Sequence, residues 1–185
     1  MPNWCLNKLI MMADDPAKIR DVLEFIPKGN NAGDSAQGIG TIDFSKIVPE
    51  PTYENNDDWY NWRVSHWSTK WNATNCRYDS KGNSILFHTA WAPPCPVIKA
   101  LSIKFPKVSF TLKYTEAAIW FAGVCEFENG EMVVDDAYDV SERSDDQASE
   151  IFEELLGFDP LNPAGKTEIE LRPVNNGAIL IKEGN

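Results

Sequence analysis

A chain of 185 residues with 43% hydrophobic composition is long enough to bury a core without a metal or disulfide staple. Its longest apolar runs, such as Ala117 to Cys125, fall far short of the roughly 20 residues that span a bilayer, so no transmembrane helix is expected. The formal charge of −11 is partitioned: residues 126–159 hold 13 acids against one base, Arg143, for a net of −12, and the other 15 acids and 16 bases leave +1.

Asn3 to Ala13 reads as a strand, and Asp15-Pro16 opens a helix in which Ile19, Val22, Leu23 and Ile26 share one face until Pro27 ends it. Lys28 to Thr41 is a Gly- and Asn-rich loop without phosphate-cradling spacing. Phe44 to Pro51, FSKIVPEP, is expected to be extended because of its prolines. A helix capped by Asp57 and Asp58 follows, then strands at Lys70–Ser80 and Ser84–Trp91, with Ile85, Phe87, Thr89 and Trp91 on one face. Pro93-Pro94-Cys95-Pro96 starts a helix with Val97, Ile98, Leu101 and Phe105 inward. Val108, Phe110, Leu112 and Tyr114 alternate as a half-buried strand. Ala117–Phe127 and Met132–Tyr138 flank Asn129-Gly130 as a hairpin. Ser144-Asp145-Asp146-Gln147 is a capping box for a helix with Ile151, Phe152, Leu155 and Leu156 inward, stopped by Gly157. Two strand-like pieces, Thr167–Arg172 and Ala178–Lys182, close the chain. This order suits an α+β fold built on a split β-α-β unit, its sheet covered by helices on one face, with an added acidic hairpin-helix and a C-terminal strand pair. One domain over 1–185 is expected, with a core at about 1–123 and an acidic extension at 124–185.

Four of the seven tryptophans fall between Asp57 and Ala73, and Trp59, Trp62 and Trp67, with His66, occupy one helix face. Such a stripe is most often core, so all three indoles are expected to pack against the sheet, with His66 beside them. The rival reading makes Trp59, Trp62, Arg63, His66, Lys70 and Trp71 a pocket or base-stacking platform, with His66 as a general base and Arg63 as an anion clamp. Cys5, Cys76, Cys95 and Cys125 contain no C-x-x-C pair, and His66 and His88 lack zinc-ligand spacing. Four reduced thiols are therefore expected and no metal or cofactor. Cys76, His88 and Cys95 are the set that folding would have to assemble to hold one. No nucleophile elbow, Walker loop or dinucleotide fingerprint occurs, so no catalytic residue is assigned. MPNWCLNKLIMMADD carries no Arg and no cleavage pattern, and a cytosolic, cytoplasmic chain is the expectation.

The blocks MPNWCLNKL, FSKIVPEP, WYNWRVSHWSTKWNA, FHTAWAPPCPVIKALSIKFP and FTLKYTEAAIWFAG resemble the YubB-like proteins of conjugative plasmids and their phage counterparts over positions 1 to about 123. The resemblance implies a ferredoxin-like domain and an origin in a plasmid or phage. It carries no assigned activity or catalytic residue. Two functions then compete. In the first the chain is a non-catalytic binding module, an accessory or counter-defence protein docking on a basic, nucleic-acid-handling host protein. Its contact would be the acidic face of Glu131, Asp135, Asp136, Asp139, Asp145, Asp146, Glu150 and Glu153, which attracts cationic partners and repels phosphate backbones. The second uses the tryptophan platform on nucleic acid or a small substrate.

Overall fold

Alternation along β1 (Trp4–Met12) defines the two faces of a sheet. Cys5, Asn7, Leu9 and Met11 are buried on one face, and Leu6, Lys8 and Ile10 are half-buried on the other. The computed structural model describes residues 3–27, 42–53, 58–116, 118, 121–139, 146–157, 171–174 and 177–180, with nothing to report of the side chains of 139, 146, 171–174 and 177–180.

Asp15 accepts the Ala17 amide at the start of α1 (Pro16–Phe25), and Ile19, Val22 and Ile26 are buried, as their spacing predicts. FSKIVPEP is not extended throughout. Asp43 accepts the Ser45 amide and starts a one-turn helix, α2 (Phe44–Ile47), that buries Phe44 completely, and Pro49 and Pro51 act only beyond it. The tryptophan helix is α3 (Asp58–Trp67), and the Asp57 cap lies outside the described residues, as does the loop over 28–41. Ser68, at a φ of 63°, turns the chain off α3, so the next strand, β2 (Thr74–Asp79), begins later than the composition suggests. In β3 (Ser84–Ala90), Ile85, Phe87 and Thr89 point inward. Trp91, expected beside them, is instead 38% exposed because a φ of 71° swings it out of the strand.

Helix α4 (Cys95–Lys104) buries Val97, Ile98 and Leu101, and β4 (Ser109–Glu116) keeps the predicted alternation of Phe110, Leu112 and Tyr114. β5 (Phe121–Glu128) falls within the expected Ala117–Phe127 run but for its last residue, with 117, 119 and 120 outside the described residues, and joins β6 (Glu131–Asp139) through Asn129 and Gly130, both at positive φ. That is the two-residue hairpin the Asn-Gly pair announces. The Gly130 amide donates to Ser102 Oγ at 3.0 Å, docking the hairpin turn on α4. α5 (Asp146–Leu156) ends at Gly157, whose φ of +77° is the left-handed stop expected there, while Ser144 and Asp145 of the capping box lie outside the described residues. β7 (Leu171–Val174) and β8 (Gly177–Leu180) form a separate antiparallel pair.

The main sheet runs β2-β3-β1-β4-β5-β6, every neighbour antiparallel. Its first four strands, with the helical crossovers between β1 and β2 and between β3 and β4, are the expected ferredoxin-like split β-α-β unit, which β5 and β6 extend. Residues of α1 to α4 share one apolar core with the inward face of the sheet. The added helix α5 covers the opposite face, packing Ala148, Ile151, Phe152 and Leu155 on Ala122, with Leu6 and Leu86 at the border. No helix among the described residues is long and apolar enough to cross a membrane.

Candidate functional site

The tryptophan face divides into two clusters with different partners. In the first, Trp67 alone of its helix is fully buried: its indole Nε1 donates to Val48 O at 3.1 Å and its ring meets Phe44 edge-on at 5.7 Å. Trp59 and Trp62 are only half-buried, which corrects the expectation of three indoles against the sheet. His66 is exposed, stacked flat on Trp62 at 4.2 Å with Nδ1 beside Trp62 O, so it does not belong to the buried face. Trp67, the last residue of the helix, is the one that reaches Phe44 of α2 and the Val48 carbonyl.

Arg63 is committed to this cluster. Its guanidinium lies 5.1 Å from the Trp59 ring centre and 4.9 Å from that of Trp67, and it grips Glu50 through Nε at 2.8 Å and a second nitrogen at 2.9 Å. Burial pushes the Glu50 carboxyl up, yet hydrogen bonds from Arg63, Tyr53 and Ser45 outweigh it and hold the group below the usual carboxylate range. The expected anion clamp therefore already holds an anion of its own chain.

The second cluster is at the surface. Lys70 Nζ sits 3.9 Å from the Trp71 ring centre and 4.5 Å from that of Trp91. Trp71 leans on Trp4 at 6.0 Å, Trp4 meets His88 edge-on at 6.3 Å, and Tyr60 meets Trp91 at 6.3 Å. Composition does not reveal what positions these rings. Asn7 donates to Thr89 Oγ1 at 2.8 Å, Thr89 donates to Ala92 O, Thr69 bonds both ways with the Ala90 backbone, and the Trp91 amide donates to Asn3 O. All three side chains are fully buried. The only sequence signal for them is a polar residue at an inward position of a strand, as Asn7 is in β1.

The acidic residues fall on two elements. Glu131, Asp135 and Asp136 are exposed on β6, the outermost strand of the sheet, while Glu150 and Glu153 line the outer side of α5. Asp139 and Asp146 end β6 and begin α5, and Asp145 lies outside the described residues. Asp136 pairs with Val124 on the α5 side of the sheet, and Asp135 pairs with Cys125 on the other. Tyr138 ties β6 to α5 by donating to Gln147 Oε1 at 2.6 Å. Glu154 differs from its neighbours: it bridges Lys8 and Lys113, paired on the neighbouring strands β1 and β4, and although burial pushes its carboxyl up, Lys113 and Lys8 hold it low. Among the described residues no base forms an ion pair with Glu131, Asp135, Asp136, Glu150 or Glu153.

Cys76 lies in the core beneath α1 to α4, whereas His88, paired with Leu6, faces the α5 side. The sheet thus separates two members of the Cys76, His88 and Cys95 set. His88 Nδ1 has no hydrogen-bond partner among the described residues, and burial, aided by the Arg77 charge, lowers the imidazole's proton affinity.

Strand order and crossovers define a ferredoxin-like α+β domain with a six-stranded sheet. The family model described as "Ferredoxin-like domain in Api92-like protein" matches residues 67–159, half of the chain, from the last residue of α3 through α5. The chain belongs to this Api92-like family. A crystal structure of protein api92 from Yersinia pseudotuberculosis is similar at a TM-score of 0.52 and 9% identity, covering 78% of this chain and 100% of that one, and shows a shared fold alone. No curated protein matches the chain.

Proposed function

We propose that the chain is a non-catalytic binding module that docks through its acidic hairpin and helix onto a basic, nucleic-acid-handling protein. The observation that carries this reading is that, among the described residues, Glu131, Asp135, Asp136, Glu150 and Glu153 form no ion pair, in a segment of net charge −12. A field of one sign left uncompensated steers association with the opposite sign. The resemblance to YubB-like plasmid and phage proteins supports a mobile-element origin, and a counter-defence role follows as analogy from that origin. Direct nucleic-acid binding is not part of the proposal. The sheet face that stacks bases in related four-stranded RNA-binding domains is here covered in part by α5, and Lys8 and Lys113 on it are engaged by Glu154.

The test is a pull-down from host lysate at low and high salt, with a Glu131→Lys, Asp136→Lys, Glu150→Lys and Glu153→Lys variant as control. The expected result is capture of a basic protein that fades with salt and is absent with the variant. A second reading rests on the exposure of Trp4, Tyr60 and Trp91 around Lys70, a surface able to stack bases. Tight, salt-dependent gel-shift of single- or double-stranded nucleic acid by the purified chain would replace the first reading with the second.

A further inference from the structure

The geometry points to Cys95 and Cys125 as a reversible dithiol-disulfide pair that a hydroperoxide oxidises, a chemistry that does not rest on the docking reading although it shares Asp135 with the acidic face. Their sulfurs lie 3.4 Å apart across the junction of α4 and β5, and a disulfide needs them to close to about 2.05 Å. Their surroundings assign different roles. Cys95 is half-buried at the first residue of α4, and the adjoining Cys125 sulfur and its own backbone amide lower its thiol despite burial and the nearby Asp135 carboxylate. Cys125 is 1% exposed, its thiol pushed up by the contact with Cys95 and by burial, and its sulfur is also 3.5 Å from Asp135 Oδ1.

Cys95 therefore attacks and Cys125 resolves. The Cys95 thiolate gives an electron pair to the outer oxygen of the hydroperoxide, the O–O bond breaks, and the inner oxygen leaves as an alcohol or water once protonated, so that sulfur is oxidised to a sulfenic acid. Cys125 then attacks the Cys95 sulfur, its proton passing to the Asp135 carboxylate. The S–S bond forms, the S–O bond breaks, and hydroxide leaves as water with that proton. Of the other two thiols, Cys5 is near enough to Cys95 to feel its charge but is fully buried with its thiol pushed up by burial, and Cys76 sits in the core on β2.

The experiment exposes the reduced full chain to a small excess of hydrogen peroxide, quenches by alkylation and maps the cysteines by peptide mass spectrometry. The expected product is a Cys95–Cys125 linked peptide that dithiothreitol reverses, with Cys5 and Cys76 recovered as free thiols after denaturation. Cys125→Ser should leave a Cys95 sulfenic acid that dimedone captures. Asp135→Asn keeps both sulfurs and should slow closure about a hundredfold, the lower end of the loss of a general base. Linkage through Cys5 or Cys76, no linked peptide, or sulfinic acid at Cys95 as the main product in the unaltered chain overturns the proposal.

Discussion

The two faces of the sheet are held by different physics. Beneath α1 to α4 the contact is a broad apolar core that includes Trp67, Phe44, Phe87, Phe110 and Phe127, and its main ion pair, Arg63 with Glu50, is clamped between indoles. On the other face one helix is held by four buried apolar side chains and by Glu154 shared between Lys8 and Lys113. Apolar burial is not weakened by ionic screening, whereas a half-exposed ion triad is. The first face is therefore a fixed platform, and the second holds a helix whose attachment depends on solution conditions.

The largest effect should come from Trp67→Ala, which leaves a cavity and an unpaired Val48 carbonyl, at about 3–5 kcal/mol, independent of salt. Chemical denaturation at low and high salt checks both claims, and an unchanged midpoint would end the view of Trp67 as keystone. Glu50→Ala strips Arg63 of its bidentate partner between two rings and should cost about 2 kcal/mol. Glu154→Gln should cost roughly 1 kcal/mol or less globally and should speed hydrogen exchange in α5 while leaving α4 unaffected. Equal acceleration in both helices would break the distinction between the faces.

Acid should act in the same direction. The Glu50 and Glu154 carboxyls are both held low in the folded chain, so the stability they contribute is full above their unfolded value of about 4.3 and is lost as pH falls through the lowered folded values. A pH series of melting curves should therefore be flat near neutrality and fall below about pH 4 through these groups. The smallest effect on stability belongs to the four-lysine replacement of Glu131, Asp136, Glu150 and Glu153, expected to stay within about 0.5 kcal/mol per site because solvated charges contribute little. A larger loss would mean that these acids hold the fold rather than face a partner.

Local signals in the chain predict its local structure well. Phe110, Leu112 and Tyr114 alternate as written, Asn129-Gly130 makes its hairpin, and Asp15-Pro16 and Gly157 begin and end helices where their backbone preferences place them. Helix α2 escapes because Asp43 capping and Phe44 burial outweigh the nearby prolines, and burial is a tertiary fact. The candidate site is less readable for the same reason. Arg63 and Glu50 are 13 residues apart, and Cys95 and Cys125 are 30 apart, so neither pairing leaves a spacing signature. Trp59, Trp62 and Trp67 look equivalent on a helical projection, and contacts with Phe44 and Val48, distant in sequence, make Trp67 the buried one.

The open edge of the sheet carries a consequence for behaviour in concentrated solution. Among the described residues β6 has only β5 as a strand neighbour, and on it Met132 and Val133 are 44% and 52% exposed beside Glu131, Asp135 and Asp136. Such an edge is a template for another copy's strand, and mutual repulsion between like charges keeps it vacant. The carboxylates thus act as a colloidal guard. Neutralising them by Glu131→Gln, Asp135→Asn and Asp136→Asn exposes a sticky ribbon on a chain whose apolar core is still intact, so that variant should self-associate while it remains folded.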